Sequence, residues 1–292
     1  MLWFYAVALS AVSWGVISVV AKELMDHDPS HAYTTLYTLT ALVFYTPVFL
    51  YFLASQGLSV NRLAVTALLF SIIGNIAAFT AYNTAIKQGE LSRIIPFTRL
   101  TPIFTGVFAA LILGERITPM LGAGIVFATA GSIVVMKEDH VDYLLSIEDS
   151  LGTQAIQLAV ASSAIYGLAS VADRFATQII APEAYTFFLF LGMSTGLLAL
   201  TRRSETHSAG EILEDFNNDR MLYSLTGLLA AAATFCIFYA FSRAPASKVV
   251  PVIQLQVLVS VVAGVVFFDE DNLARKLAGS LILIAGVGLV AL

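Results

Sequence analysis

Apolar residues run along this chain in blocks of about twenty, separated by short polar stretches, which is the length needed to cross a hydrocarbon core. Ten such blocks fall at about 2–21, 32–54, 63–86, 91–113, 119–136, 154–173, 181–200, 221–242, 247–268 and 274–292. Strict alternation of apolar and polar residues is absent, so a transmembrane β-barrel is not expected. A helix satisfies its own backbone donors and acceptors where no water can. The expected fold class is therefore all-α integral membrane.

The pattern also repeats. Residues 85–136 align without a gap on 240–291. Ser92, Pro96, Leu100, Glu115, Gly124 and Gly131 fall on Ser247, Pro251, Leu255, Glu270, Gly279 and Gly286. Earlier in each half, Trp14-Gly15, Ser18 and Lys22 match Tyr166-Gly167, Ser170 and Arg174. Five spans per half is an odd number, so the second half must insert upside down. This predicts two inverted five-helix repeats, 1–138 and 153–292, joined by a loop at 139–152. Inverted repeats in a membrane chain point to a transporter with its site between the halves. A longer loop at 201–220 carries Ser208 and Glu211 in capping-box spacing, with Ile212, Leu213 and Phe216 on one face, as in a short interfacial helix.

Composition agrees with this class. Apolar residues make up 58% and charged residues 12%, about half the charge of an ordinary soluble domain. Mean hydropathy is +0.84. The first block lacks a basic leader and a cleavage site, and reads as a retained first helix. No second domain, low-complexity tract or tail is visible. The net charge of −5 comes without any basic run, so no nucleic acid partner is expected. The expected partners are a small-molecule substrate and the lipid bilayer, with the chain a monomer or a homodimer. Cys236 lies within a span as a small core residue. His27, His31, His140 and His207 fall in or beside loops, and neither a metal site nor a cofactor is expected. No nucleophile motif, phosphate loop or catalytic cluster is present, so an enzyme is not expected.

Orientation follows from Lys and Arg near span ends. Repeat-equivalent pairs cancel. Arg62 and Arg116 then remain on one side, and Lys137, Arg202, Arg203, Arg220, Arg275 and Lys276 on the other. Taken literally, this count puts both termini outside.

Arg99 is the leading candidate for chemistry. It sits about 12 Å down the fourth span, at 1.5 Å per residue. Facing lipid there would cost at least about 2.5 kcal/mol, so it must face protein or a wet cavity. Ser92, Arg99 and Gly106 share a face at a spacing of seven. Pro96 and Pro102 each remove a backbone donor from the same helix, and Pro251 does so in the ninth span. These three prolines are the candidate hinges. Gln254 stands at the position of Arg99, and Gln256 at that of Thr101. Asn75, Tyr82 and Asn83 in the third span, Trp14 in the first and Tyr166 in the sixth complete the candidate substrate-binding set. Two alternatives stand beside it. Arg99 could lock helices together, and the glutamines could be interhelical glue. Tyr33, Tyr37, Tyr45 and Tyr185 read as interface or core residues. Gly106, Ala110 and Gly114, and Gly124 and Ala128, form small-residue packing faces. No acid occupies the middle of a span. Asp173 comes nearest, at the end of the sixth, which favours uniport or exchange over proton antiport.

The run Leu100-Thr101-Pro102, Ala109-Ala110 and Leu113-Gly114-Glu115-Arg116-Ile117-Thr118-Pro119, followed by Gly124 and Gly131, resembles the signature of the EamA-like family within the drug/metabolite transporter superfamily. The likeness is good in the first half and weaker in the second, where Phe268-Asp269-Glu270-Asp271 replaces the Gly-Glu-Arg run. It implies ten helices in tandem and an alternating-access carrier of small metabolites in the cell membrane. It also implies cytoplasmic termini, against the charge count. In that light Glu115 and Glu270 look like helix-start devices rather than substrate contacts. The proton-coupling glutamate in the first helix of the superfamily's small multidrug exporters has no counterpart here. The reading is a carrier of an amino acid, nucleoside, sugar or related anion, through a central cavity walled by spans 1, 3, 4, 6, 8 and 9. Its alternatives are an exporter of zwitterionic or cationic compounds in which Arg99 is structural, and a membrane enzyme or scaffold without transport.

Overall fold

The computed structural model describes residues 1–24, 31–58, 61–88, 91–136, 153–203, 214, 216–267 and 273–292. Twelve helices stand among them: α1 Leu2–Leu24, α2 His31–Gln56, α3 Arg62–Gln88, α4 Leu91–Thr98, α5 Thr101–Leu113 and α6 Pro119–Met136. The second half supplies α7 Gln154–Ala176, α8 Pro182–Arg203, α9 Arg220–Phe241, α10 Ala246–Ile253, α11 Gln256–Phe267 and α12 Leu273–Ala291. They make ten spans, because α4 with α5 and α10 with α11 each form one interrupted span. The molecule is all-α, with ten spans in two inverted five-helix repeats. Span ends follow the apolar blocks closely; the block at 119–136, for example, is α6.

Packing divides the chain into two compact units, and each draws on both repeats. The first is Met1–Ile72 with Asp173–Arg243, and the second Ile73–Ala172 with Ala244–Leu292. In the first unit α1 packs on α9, and α2 on α8 and α9. Phe49 of α2 stacks on Phe187 of α8, with ring centroids 4.0 Å apart. Tyr33, Tyr45 and Tyr185 are buried, so these tyrosines are core rather than interface residues. Phe216, ahead of α9, packs on Tyr223 at 6.2 Å. The capping-box residues Ser208 and Glu211, with Ile212 and Leu213, lie outside the described residues, as do His27, His140 and His207.

In the second unit α6 and α12 lie backbone to backbone. A Cβ added to Gly131 would come within 2.7 Å of Leu283 Cα and 2.8 Å of the Gly279 carbonyl. A Cβ on Gly279 would meet Val135 N at 2.8 Å, and one on Gly286 would meet Ala128 Cα at 2.9 Å. In lipid such small-residue contacts are the main source of helix association, because apolar side chains gain little by leaving acyl chains. Gly124 and Ala128 serve this contact as expected. Gly114 does not, since nothing lies within 4 Å of the position its Cβ would take; its role is in the turn described below.

Gly131→Ala should therefore lower the thermal unfolding temperature of the purified protein, the overpacking costing about 1–3 kcal/mol. Gly288→Ala, on the same helix pair but facing open space, should be neutral or stabilising by up to about 1 kcal/mol, because alanine is the better helix former. Equal melting curves for the two variants would refute the close contact.

Candidate functional site

The fourth and ninth spans are interrupted at equivalent places. Arg99 and Leu100 separate α4 from α5, and Gln254 and Leu255 separate α10 from α11. Both breaks are tightened turns of the i to i−3 kind. The Arg99 N–H donates to the Pro96 carbonyl at 3.2 Å and that of Leu100 to Phe97 at 3.3 Å. The Gln254 N–H donates to Pro251 at 3.2 Å and that of Leu255 to Val252 at 3.0 Å. In the first break the cause is local. Pro102 has no N–H for the Thr98 carbonyl. Pro96 and Pro251 stand inside α4 and α10, ahead of the breaks. The second break forms with Val257 where the first has Pro102, and the Val257 N–H donates to Gln254 at 3.0 Å.

An interrupted helix in a membrane frees carbonyls that need donors. Those of Thr98 and Arg99 find them here, and the Phe97 carbonyl, already bonded to the Leu100 N–H, takes a second donor. The Phe97 carbonyl accepts from Ser163 Oγ of α7 at 2.8 Å. That of Thr98 accepts from Thr101 Oγ1 at 3.3 Å. That of Arg99 accepts from Gln254 Nε2 at 3.4 Å. The two interrupted spans are thus joined at their breaks, through a glutamine only 5% exposed. Behind them α7 approaches α5 closely, for a Cβ on Gly167 would meet Phe104 Cβ at 2.9 Å.

The Arg99 side chain is half-buried. Its Nε donates to the thioether of Met136, at the end of α6, at 3.1 Å. Sulfur is a weak acceptor, and a guanidinium carries five N–H donors. Among the described residues no carboxylate pairs with it. Tyr82 of α3 lies within electrostatic reach of the guanidinium. The structure therefore brings Arg99, Tyr82 and Gln254 together. Asn75, Asn83, Tyr166 and Gln256 are half-buried in the same unit. Trp14 belongs to the other unit, where its ring meets Tyr37 edge-on at 6.3 Å.

The short turn between α5 and α6 assigns tasks to four residues of the Gly-Glu-Arg-Ile-Thr-Pro run. Gly114 ends α5 at φ 67°, a left-handed conformation that side chains resist. Thr118 Oγ1 accepts from the Leu121 N–H at 3.2 Å and starts α6, with Pro119 at the first helical position. Glu115 starts a different helix. Its carboxylate accepts from the N–H of Ala246 at 2.8 Å, the N–H of Ser247 at 3.0 Å and the Ser247 hydroxyl at 2.5 Å. These groups open α10, so an acid from the first repeat caps the interrupted span of the second, where the helix dipole also favours negative charge. Its repeat partner Glu270 lies outside the described residues.

A model of the EamA-like transporter family matches residues 1–137 and 153–292. The chain belongs to that family. Among similar proteins, a probable amino-acid metabolite efflux pump of Salmonella typhimurium is 26% identical over 137 residues, 44% of this chain and 46% of the relative. A riboflavin transporter of Rhizobium johnstonii is 26% identical over 190 residues, 64% of this chain and 57% of the relative. The uncharacterized transporter YcxC of Bacillus subtilis is 28% identical over 215 residues, 70% and 64% of the two chains. The matched stretch spans about half the length of the first of these curated relatives. One crystal structure superposes with a TM-score of 0.74 over 98% of this chain and 95% of its own, at 15% identity, which establishes a shared fold. The family and these relatives point to transport rather than catalysis, and the ten spans make the chain a multi-pass membrane protein.

In this member of the EamA-like family, then, the Gly-Glu-Arg run is a joint between repeats. Glu115→Ala should cost about 1–2 kcal/mol of stability through the lost cap, and Ser247→Ala less, because the two backbone donors keep their acceptor. Thermal unfolding of purified variants measures both, and a Glu115→Ala protein as stable as the parent would remove the cap from the account.

Proposed function

We propose that this chain carries a small polar metabolite across the cell membrane by alternating access, and that Arg99 binds an anionic group of that substrate. One observation carries the reading: a half-buried guanidinium at the break of a membrane span, held by a thioether and with no carboxylate partner among the described residues. Such a group is costly in a membrane unless it meets counter-charge. A carboxylate or phosphate supplies that through charge-assisted, often bidentate hydrogen bonds. The names of the relatives, an amino-acid metabolite efflux pump and a riboflavin transporter, support a small polar cargo without fixing which. Tyr82, Asn75 and Asn83 of α3, Tyr166 of α7 and Gln256 of α11 would read the neutral polar groups of the substrate. Gln254 takes a second role in this reading, since its amide nitrogen already serves the Arg99 carbonyl.

The interrupted spans are the natural moving parts. Pro96, Pro102 and Pro251 lower the number of backbone bonds that must change when α4 and α10 tilt. Cytoplasmic termini are part of the same proposal.

The test is thermal stabilisation of the purified protein against amino acids, nucleosides, sugars and organic phosphates. Compounds bearing a carboxylate or phosphate should raise the unfolding temperature selectively. For the compound that does, Arg99→Ala should weaken binding by about 10- to 100-fold, as expected for losing hydrogen bonds to a charged group. Arg99→Lys should retain part of the affinity, because it keeps the charge and loses the fork. Stabilisation only by cationic compounds, or anion binding that survives Arg99→Ala, would overturn the assignment and favour a structural arginine.

A further inference from the structure

Asp173 lies near the end of α7 and is 6% exposed, within a membrane span. Its carboxylate accepts hydrogen bonds from the hydroxyl of Ser71, in the interior of α3, and from that of Tyr185, in the first turn of α8, at 2.6 Å. Ser71 and Tyr185 are themselves fully buried. The Tyr185 ring is held edge-on by Phe238 of α9 at 4.8 Å. Cations are nearby yet engaged elsewhere. Arg174 donates to the Phe241 carbonyl and, with the Gln178 amide turned, to the Gln178 side-chain oxygen at 2.8 Å. Thr177 Oγ1 donates to the Asp173 main-chain carbonyl at 2.7 Å rather than to its carboxylate. Glu183 in the first turn of α8 is a further acid close in sequence to Tyr185. Among the described residues no Lys, Arg or His pairs with the Asp173 carboxylate.

A purely structural acid in such a place would have a cation, because an ion taken out of water with neutral partners alone is costly. Two hydroxyls fit a different task. Each can donate or accept, so the pair serves both states of the acid. With the carboxylate ionised, Ser71 and Tyr185 both donate to it. With a proton on one carboxylate oxygen, that O–H donates and one hydroxyl turns to accept it. The exchange adds one proton and turns one hydroxyl hydrogen, and it moves no heavy atom. A buried ionisable side chain in a span is where membrane proteins place such chemistry.

We propose that Asp173, with Ser71 and Tyr185, is a proton-binding site. The expectation of uniport or exchange rests on finding no acid deep in a span; Asp173 is close to a helix end by sequence yet reaches a serine in the interior of α3. Coupling of this proton to transport rests on the substrate reading above, whereas proton binding does not, and the following experiment reads proton binding alone. Infrared difference spectra of purified protein, taken from about pH 4 to about pH 9, report the carboxylic-acid carbonyl of a protonated side chain. The parent should show a band that grows as pH falls and is missing from Asp173→Asn. Tyr185→Phe, which keeps the acid and removes one donor to its anion, should bind the proton about tenfold more tightly and shift the titration accordingly. Were Asp173→Asn to misfold, that shift alone decides the matter. Parent spectra lacking any band sensitive to position 173 or 185 over this range would overturn the proposal.

Discussion

Backbone carbonyls have to be satisfied within the protein wherever a membrane span is interrupted, and the second unit is organised around that requirement. Three successive carbonyls at the break take side-chain donors, two of them released by the interruption. One is served by a hydroxyl within the turn, one by a serine on α7, and one by a glutamine from the other interrupted span. In water none of these donors would be needed, since solvent would take their place. In hydrocarbon they decide which helices can lie next to the break, and so which side chains share its surroundings with Arg99.

The same requirement explains why Glu115 reaches 131 residues along the chain. A helix that starts within the protein has N–H groups to satisfy at its first turn, and α10 starts at Ala246 after Pro245, which offers no side-chain cap. Glu115 supplies two oxygens to three donors there. Gly114 makes this possible by turning the chain at the end of α5, and Thr118 then starts α6 a few residues on. One six-residue turn therefore ends one helix, begins a second and caps a third. A motif compressed in this way tolerates little change, which is a physical reason for it to be the readable mark of a family.

Most of the architecture was legible in the sequence because lipid imposes a length on each span and forbids alternatives to the helix. The ten apolar blocks and the repeat carried over to the structure. The helix interruption at Arg99 was legible from Pro96 and Pro102, while the one at Gln254 was legible only through the repeat, since Val257 gives no local sign of it. Three features were not legible. Glu115 was read as a helix start, but which helix it starts depends on a contact between distant segments. Gly114 looked like a packing residue because small-residue spacing does not distinguish a close contact from a left-handed turn. Asp173 lies near a helix end by sequence, yet it is buried against Ser71 of α3, a contact between distant segments that one helix's sequence does not show. Its mark in the sequence is a lone acid in an apolar block.

The two halves share their framework and differ where a cargo would be read. The glycines that bring α6 and α12 together are repeat partners, and so are the tightened turns at the two breaks. At the centre of those turns the symmetry stops, with a cation in one half and an amide in the other. The asymmetry is also a division of labour, because the amide of Gln254 satisfies the main chain of Arg99 and leaves the guanidinium to other partners. Had both positions been arginine, neither could have served the other's carbonyl without bringing two like charges together in a low-dielectric setting. Had both been glutamine, the pair would have been satisfied and without charge. One of each is the combination that closes the backbone and still presents a single positive charge at the break.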